Sequence, residues 1–184
     1  MENKQFDPNG VGIANGNIFG FPVSESEASI VIIPVPWDAT ASYGKGTSDG
    51  PKAILDASTQ LDFYHHQLPN AWETKVFMAP ISNEIKSIND QLCIDSIQYI
   101  AFLEEGGDVS QEPNYQQILA KVNEASASLS SNLKERMENI IAKNQIPALL
   151  GGEHSTPLGL IQALDNQGES FGVLHLDAHA DLRE

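Results

Sequence analysis

The sequence predicts an α/β fold, a mostly parallel sheet with helices on both faces. Short apolar, β-branched runs alternate with longer stretches of helical period, in the order strand, helix, strand, helix, strand, helix, strand. The chain has 184 residues and is 41% hydrophobic. That is enough for one domain with a real core and too little for two large ones.

Residues 1–28 are polar and rich in Gly and Asn, which predicts an irregular arm. "SIVIIPVPWD" (29–38) is apolar and β-branched and closes on two prolines, which predicts a buried strand. After the loop "ATASYGKGTSDG", Pro51 opens a helix in "PKAILDASTQLDFYH", where Ala53, Ile54, Ala57, Leu61 and Tyr64 recur at steps of three and four. "TKVFMAPI" (74–81) is a second strand candidate. Residues 82–113 carry apolar clusters without a clean period and are expected to form an insertion with short structure. From Tyr115 to Lys143, the residues Ile118, Val122, Ala125, Leu129, Leu133, Met137, Ile140 and Ile141 make one helical stripe. "IPALLGG" (146–152) is the third strand. Ser155 is placed to cap the next helix, with Pro157 in its first turn and Gly168 ending it. "FGVLHLD" (171–177) is the fourth strand.

Composition narrows the function. The net charge of -15 repels nucleic acid and anionic membrane surfaces and favours metal ions or a cationic substrate, although most acidic residues are expected on a solvated surface. No apolar run approaches the roughly 20 residues that span a bilayer, and the N-terminus has no signal-peptide core. The single cysteine, Cys93, has no internal disulfide partner. A soluble cytoplasmic protein is the expectation.

In an open α/β sheet, ligands bind beyond the carboxyl ends of the strands. Two of those ends are unusual. Strand three ends in "GGEHS", where Gly151 and Gly152 allow a tight turn and His154 emerges beside the next helix. Strand four ends in "DAHAD". Alternate residues of an extended segment point to one side, so Asp177, His179 and Asp181 can converge on one centre. Carboxylates with imidazoles suit Mn, Fe, Ni or Zn better than Ca or Mg. Solvated loops are the alternative for each cluster, but two such clusters at consecutive strand ends are more specific than either alone.

At these residues the sequence resembles the ureohydrolases, the family of arginase, agmatinase and their relatives. "GGEHS" followed by "HLDAHADLR" matches the family's two early motifs, with Glu153 where GGDHS is usual. "VPWDATASYGKGTSDGPKAILDAS" is similar to the agmatinase-type first strand and Gly-rich loop. The resemblance covers residues 29–64 and 146–183. It implies a three-layer sandwich on a mostly parallel sheet, of arginase/deacetylase type and incomplete in this chain. Residues 29–184 would be the N-terminal portion of a single domain, with an insertion near 82–113.

The resemblance also implies two Mn2+ ions, with Ni2+ as the alternative metal. His154 and Asp181 would bind the first ion, Asp177 would bridge both, and His179 would bind the second. His175 is not a ligand in the family's pattern and is expected to pack or to support one. The implied reaction is two-metal hydrolysis of a guanidinium C–N bond, releasing urea and an amine, in polyamine metabolism. The substrate is a small guanidino cation: agmatine first, with guanidine, arginine, guanidinobutyrate and formiminoglutamate as alternatives. Relatives are often trimers or hexamers, so a homo-oligomer is expected.

The family uses six ligand side chains, and this sequence offers four. The remaining two aspartates belong to an S-x-D-x-D-x-x-D-P motif that does not occur here. The resemblance therefore implies an N-terminal half, whose sheet takes further strands between 146–150 and 171–176. Weak Mn2+ binding without turnover is the expectation for residues 1–184. A noncatalytic metal- or partner-binding α/β module is the competing reading. Deacetylases of the acetylpolyamine type share the general fold, but their D-x-H site is mononuclear, and the paired motifs argue against them.

Other features carry less. "SYGKGTSDG" lacks the spacing of a phosphate-binding loop, since Lys45 precedes Gly46. In the family this loop rims the active site, so Tyr43 and Lys45 are candidates for substrate contact. His65 and His66 are expected at the C-terminus of the first helix, Asp38 in a turn, and Cys93 as a packed thiol.

Overall fold

The computed structural model describes residues 6–181. Three parallel strands form the sheet in the order β2-β1-β3: β1 (Ile30–Val35), β2 (Val76–Met78) and β3 (Ile146–Gly151). Ile30 lies opposite Val76 on one side and Ile146 on the other, and the β1–β3 register runs on to Val35 opposite Gly151. The helices are α1 (Gly50–Ser58), α2 (Asn83–Glu104), α3 (Pro113–Ile141) and α4 (Leu158–Asp165).

The period of two along β1 assigns its faces. Val31, Ile33 and Val35 are buried in one core with Leu92 of α2, Val122, Leu129, Leu133, Met137 and Ile140 of α3, and Ala163 of α4. Ile30 and Ile32 face a second cluster with Ile18, Phe21, Val76 and Met78, joined by Leu55 of α1 and Phe63. A strand buried on both faces needs the continuous apolar run that β1 has.

Residues 6–28 hold two short 3-10 turns, Ile18–Gly20 and Glu25–Glu27, and are tied down. Gln145 donates to the carbonyls of Glu25 (2.6 Å) and Ala28 (2.8 Å), and Arg136 donates to Glu25 at 2.6 Å. That hydrogen bond is the main reason the Glu25 carboxyl sits below its ordinary pKa. Asn17 closes the outer edge of β2. Its side chain accepts from the Met78 amide (2.9 Å) and donates to the Val76 carbonyl (3.4 Å), as a neighbouring strand would.

Four expectations need correction. First, α1 stops at Ser58, well short of Tyr64. Ser58 Oγ donates back to the Leu55 carbonyl and accepts from the Phe19 amide, which turns the chain away, and Leu61 and Tyr64 are exposed. His65 and His66 therefore stack on each other beyond the helix rather than meeting its terminus.

Second, residues 83–104 form a 22-residue helix rather than short structure. Its buried positions are Asn89, Leu92 and Ser96, at steps of three and four. Two of those three are polar, which hides the period from a hydrophobicity reading. Third, Ser155 does not cap α4. The helix begins after Pro157, and the Ser155 hydroxyl donates to Glu153 instead.

Fourth, the 171–177 run pairs with no strand among the described residues. Val173, Leu174 and Leu176 are 67%, 84% and 86% exposed. A β-branched, apolar sequence becomes a strand only where a neighbour takes up its backbone donors and acceptors.

Candidate metal centre

The site lies at the carboxyl ends of β1 and β3. After β3 the chain makes a tight turn. A Cβ on Gly152 would lie 2.3 Å from the Trp37 carbonyl oxygen, so only glycine lets this turn rest on the loop that follows β1. The Thr156 hydroxyl donates to the Glu153 carbonyl at 2.9 Å and closes the turn.

The post-β1 loop is held from inside. Asp38 is buried. Its carboxylate accepts from the amides of Gly46 (2.6 Å) and Ser48 (3.2 Å), from Asn89 (2.9 Å) and from the Cys93 thiol (3.3 Å). Burial alone would raise its pKa. The hydrogen bonds, led by Asn89, outweigh it and lower the group to about 2. Burial and the neighbouring Asp38 carboxylate push the Cys93 thiol up to about 11. Asp38 thus fills the turn role, and Cys93 is a packed thiol.

Lys45 directs its ammonium to the carbonyls of Asp38, Ala39 and Ala41 and to the Ser96 hydroxyl, at 2.9–3.2 Å. Its three donors are engaged within the chain. Tyr43, the other substrate-loop candidate, is fully exposed. Sequence reading missed Asn89, which is 0% exposed and bonded to both the amide and the carboxylate of Asp38. A polar residue on the buried stripe of α2 was the available signal, and it was masked by the same irregularity that hid the helix.

His154, His175, Asp177 and Asp181 converge. Each offers a ligand atom, and these atoms all lie within 4.8 Å of one another. His154 Nδ1 is 3.0 Å from Asp181 Oδ2 and 3.6 Å from Asp177 Oδ2, while His175 Nε2 is 3.7 and 3.8 Å from the same two oxygens. Ligand bonds of about 2.0–2.2 Å place donors up to about 4.4 Å apart across one ion. The four side chains are therefore nearly at ligating distance, and two imidazoles with two carboxylates suit a divalent transition metal.

His179 stands apart from this group. Its Nδ1 lies 3.4 Å from Asp177 Oδ1, and its side chain is 82% exposed. The chain leaves the extended conformation at this point. The His179 amide donates to Asp177 Oδ1 at 2.8 Å, and Asp181 has φ 52°, so alternation no longer aligns 175, 177, 179 and 181. That amide is the largest cause holding the Asp177 carboxyl below its ordinary pKa, with the His154 and His175 rings adding attraction when protonated.

The family model described as "Arginase family" matches residues 28–184. The chain is 27% identical to an N(1)-aminopropylagmatine ureohydrolase of Synechocystis sp. over 88% of its own length and 43% of that protein's. It is 30% identical to the enzyme of the same name from Thermococcus kodakarensis, covering 89% of this chain and 44% of the relative. An agmatinase of Bacillus cereus is 24% identical, with 88% of this chain and 43% of the relative covered. The chain thus spans less than half the length of these curated relatives. No solved structure gives a significant match. With the family model extending across the sheet, the turn and the His/Asp cluster, the chain belongs to the arginase family.

Proposed function

We propose that this chain carries part of the site of a binuclear-metal ureohydrolase that cleaves a guanidinium C–N bond and releases urea and an amine. The supporting observation is the convergence of His154, Asp177 and Asp181, together with His175, in an arginase-family chain. His154 and Asp181 would hold one divalent ion, Asp177 would bridge it to a second, and His179, whose Nδ1 lies 3.4 Å from Asp177 Oδ1, would hold that second ion. Mn2+ is the expected metal, with Ni2+ as the alternative.

A divalent metal bound there supplies an acidified water and Lewis-acid polarisation. The chain's residues supply the rest. Asp177 and Asp181 give the site negative charge, and the net charge of -15 raises the local concentration of cations. His175 Nε2 lies 3.7–3.8 Å from an oxygen of each carboxylate and would support their orientation. Agmatine or its aminopropyl derivative is the proposed substrate class, following the names of the relatives.

The test is urea release from agmatine, N(1)-aminopropylagmatine, arginine, guanidinobutyrate and guanidine, each with Mn2+ or Ni2+. Residues 1–184 should bind Mn2+ without turnover, and a polypeptide spanning the full length of the relatives should release urea from at least one substrate. Absence of urea from the longer protein across the whole panel would sink the proposal. Metal binding without urea release in both would favour a noncatalytic metal-binding module. That reading draws on the four-residue cluster and the part-length match.

A further inference from the structure

Glu153 links two loops that meet at the candidate metal centre. Its Oε2 accepts from the Thr40 amide at 3.0 Å. Its Oε1 accepts from the Thr40 hydroxyl at 2.5 Å and from the Ser155 hydroxyl at 2.7 Å. Thr40 follows β1, while Glu153 and Ser155 follow β3, so one carboxylate ties the ends of two adjacent strands. The loop bearing Thr40 is itself anchored by Asp38, Asn89 and Lys45. His154 comes directly after Glu153. Its side chain is 55% exposed; it faces Asp177 and Asp181, and its ring centroid lies 5.2 Å from that of His175. Packing does little to hold that ring, so its position depends on the backbone that carries it.

We infer that Glu153 is a positioning residue: its carboxylate clamps the post-β1 loop to the post-β3 turn and fixes the backbone from which His154 reaches Asp177 and Asp181. The inference rests on the metal-site reading. It assigns a separate task to the residue that distinguishes this turn from the usual GGDHS. Supports of this kind change metal affinity by roughly 10–100-fold when removed.

Charge and positioning must be separated, because Glu153 also adds a negative charge near the site. Thr40→Val removes the hydroxyl donor and leaves the charge in place. Mn2+ affinity is measured by isothermal titration for the 184-residue chain, for Glu153→Gln, for Thr40→Val, for the double variant and for Asp177→Asn. Far-UV circular dichroism and thermal melting without metal are recorded alongside. Glu153→Gln should weaken Mn2+ binding about tenfold and Thr40→Val about threefold. The double variant should be no weaker than Glu153→Gln alone, because the two side chains act as one clasp. Helix content should stay unchanged.

If Thr40→Val binds Mn2+ as the parent does while Asp177→Asn does not, positioning is overturned and the metal site stands. A loss confined to Glu153→Gln would mean that charge alone is at work, which also overturns the inference. Should Glu153→Gln fail to fold, Thr40→Val decides by itself. If Asp177→Asn binds as tightly as the parent, the metal-site reading falls and the clasp has nothing to position.

Discussion

At the scale of single residues, Asp38 is the strongest test of how the loops are held. Four donors converge on one buried carboxylate. Its folded pKa of about 2 lies below its ordinary value of 3.8. The stability it contributes is therefore complete above the ordinary carboxylate range and is lost as pH falls through about 2. Asp38→Ala leaves Asn89 and two amides without their acceptor, and should cost about 1–3 kcal/mol in urea denaturation at pH 7. In the variant, the parent's acid-induced loss near pH 2–4 should shrink, and an unchanged acid limb would contradict the role given to Asp38.

Cys93 gives a second check at this scale. A thiol held near 11 stays protonated at pH 8, so iodoacetamide should label it slowly in the native protein and at the ordinary rate in urea. Equal rates would contradict its packed environment. Sequence reasoning reached both residues, since a turn role and a packed thiol follow from position alone. It did not reach Asn89, because nothing in the sequence says that a polar residue of α2 meets Asp38.

At the scale of elements, β1, β3 and α3 were legible because their patterns are clean. β1 is apolar on both faces, and α3 places Val122, Leu129, Leu133, Met137 and Ile140 against it at helical spacing. Met137 is fully buried at the centre of that contact. Met137→Ala should cost about 2–5 kcal/mol, read as a fall in the urea midpoint with unchanged slope. At the end of α3, Asn144 adopts φ 57°, the left-handed cap that Asn tolerates better than Ala. Asn144→Ala should cost about 1 kcal/mol and Asn144→Gly almost nothing, and the reverse order would contradict the cap. The reading failed for α2 and α1 for a shared reason. Their buried faces include Asn89, Ser96 and Ser58, whose placement is decided by hydrogen bonds rather than by apolar period.

At the scale of the whole molecule, the two edges of the sheet differ. Asn17 closes the β2 edge. Beside β3, the described residues place no strand on the side away from β1, and the apolar run 171–176 lies exposed. Unpaired edges and exposed apolar runs promote association between chains. Light scattering of residues 1–184 should therefore show concentration-dependent self-association, and Leu174→Lys should reduce it. A parent that stays monomeric at high concentration would contradict this. The run at 171–177 reads as a strand in sequence because composition records what a segment can form, while pairing depends on which neighbour is beside it. The motifs named His154, Asp177 and Asp181 as one cluster, and these side chains do converge, although only His154 follows a strand and 171–177 forms none among the described residues. The approach of His175 was not legible in the sequence, because it depends on the local path between Asp177 and Asp181.

His154, Asp177 and Asp181 are proposed to form a metal site. Isothermal titration of Mn2+ into this chain and into its His154→Ala variant tests it most directly, with Leu174→Lys in both backgrounds to limit association. Binding should be saturable in the parent and at least tenfold weaker in the variant, the scale expected for losing a ligand or its support. Equal binding in the two, or none in the parent, would contradict the proposed site.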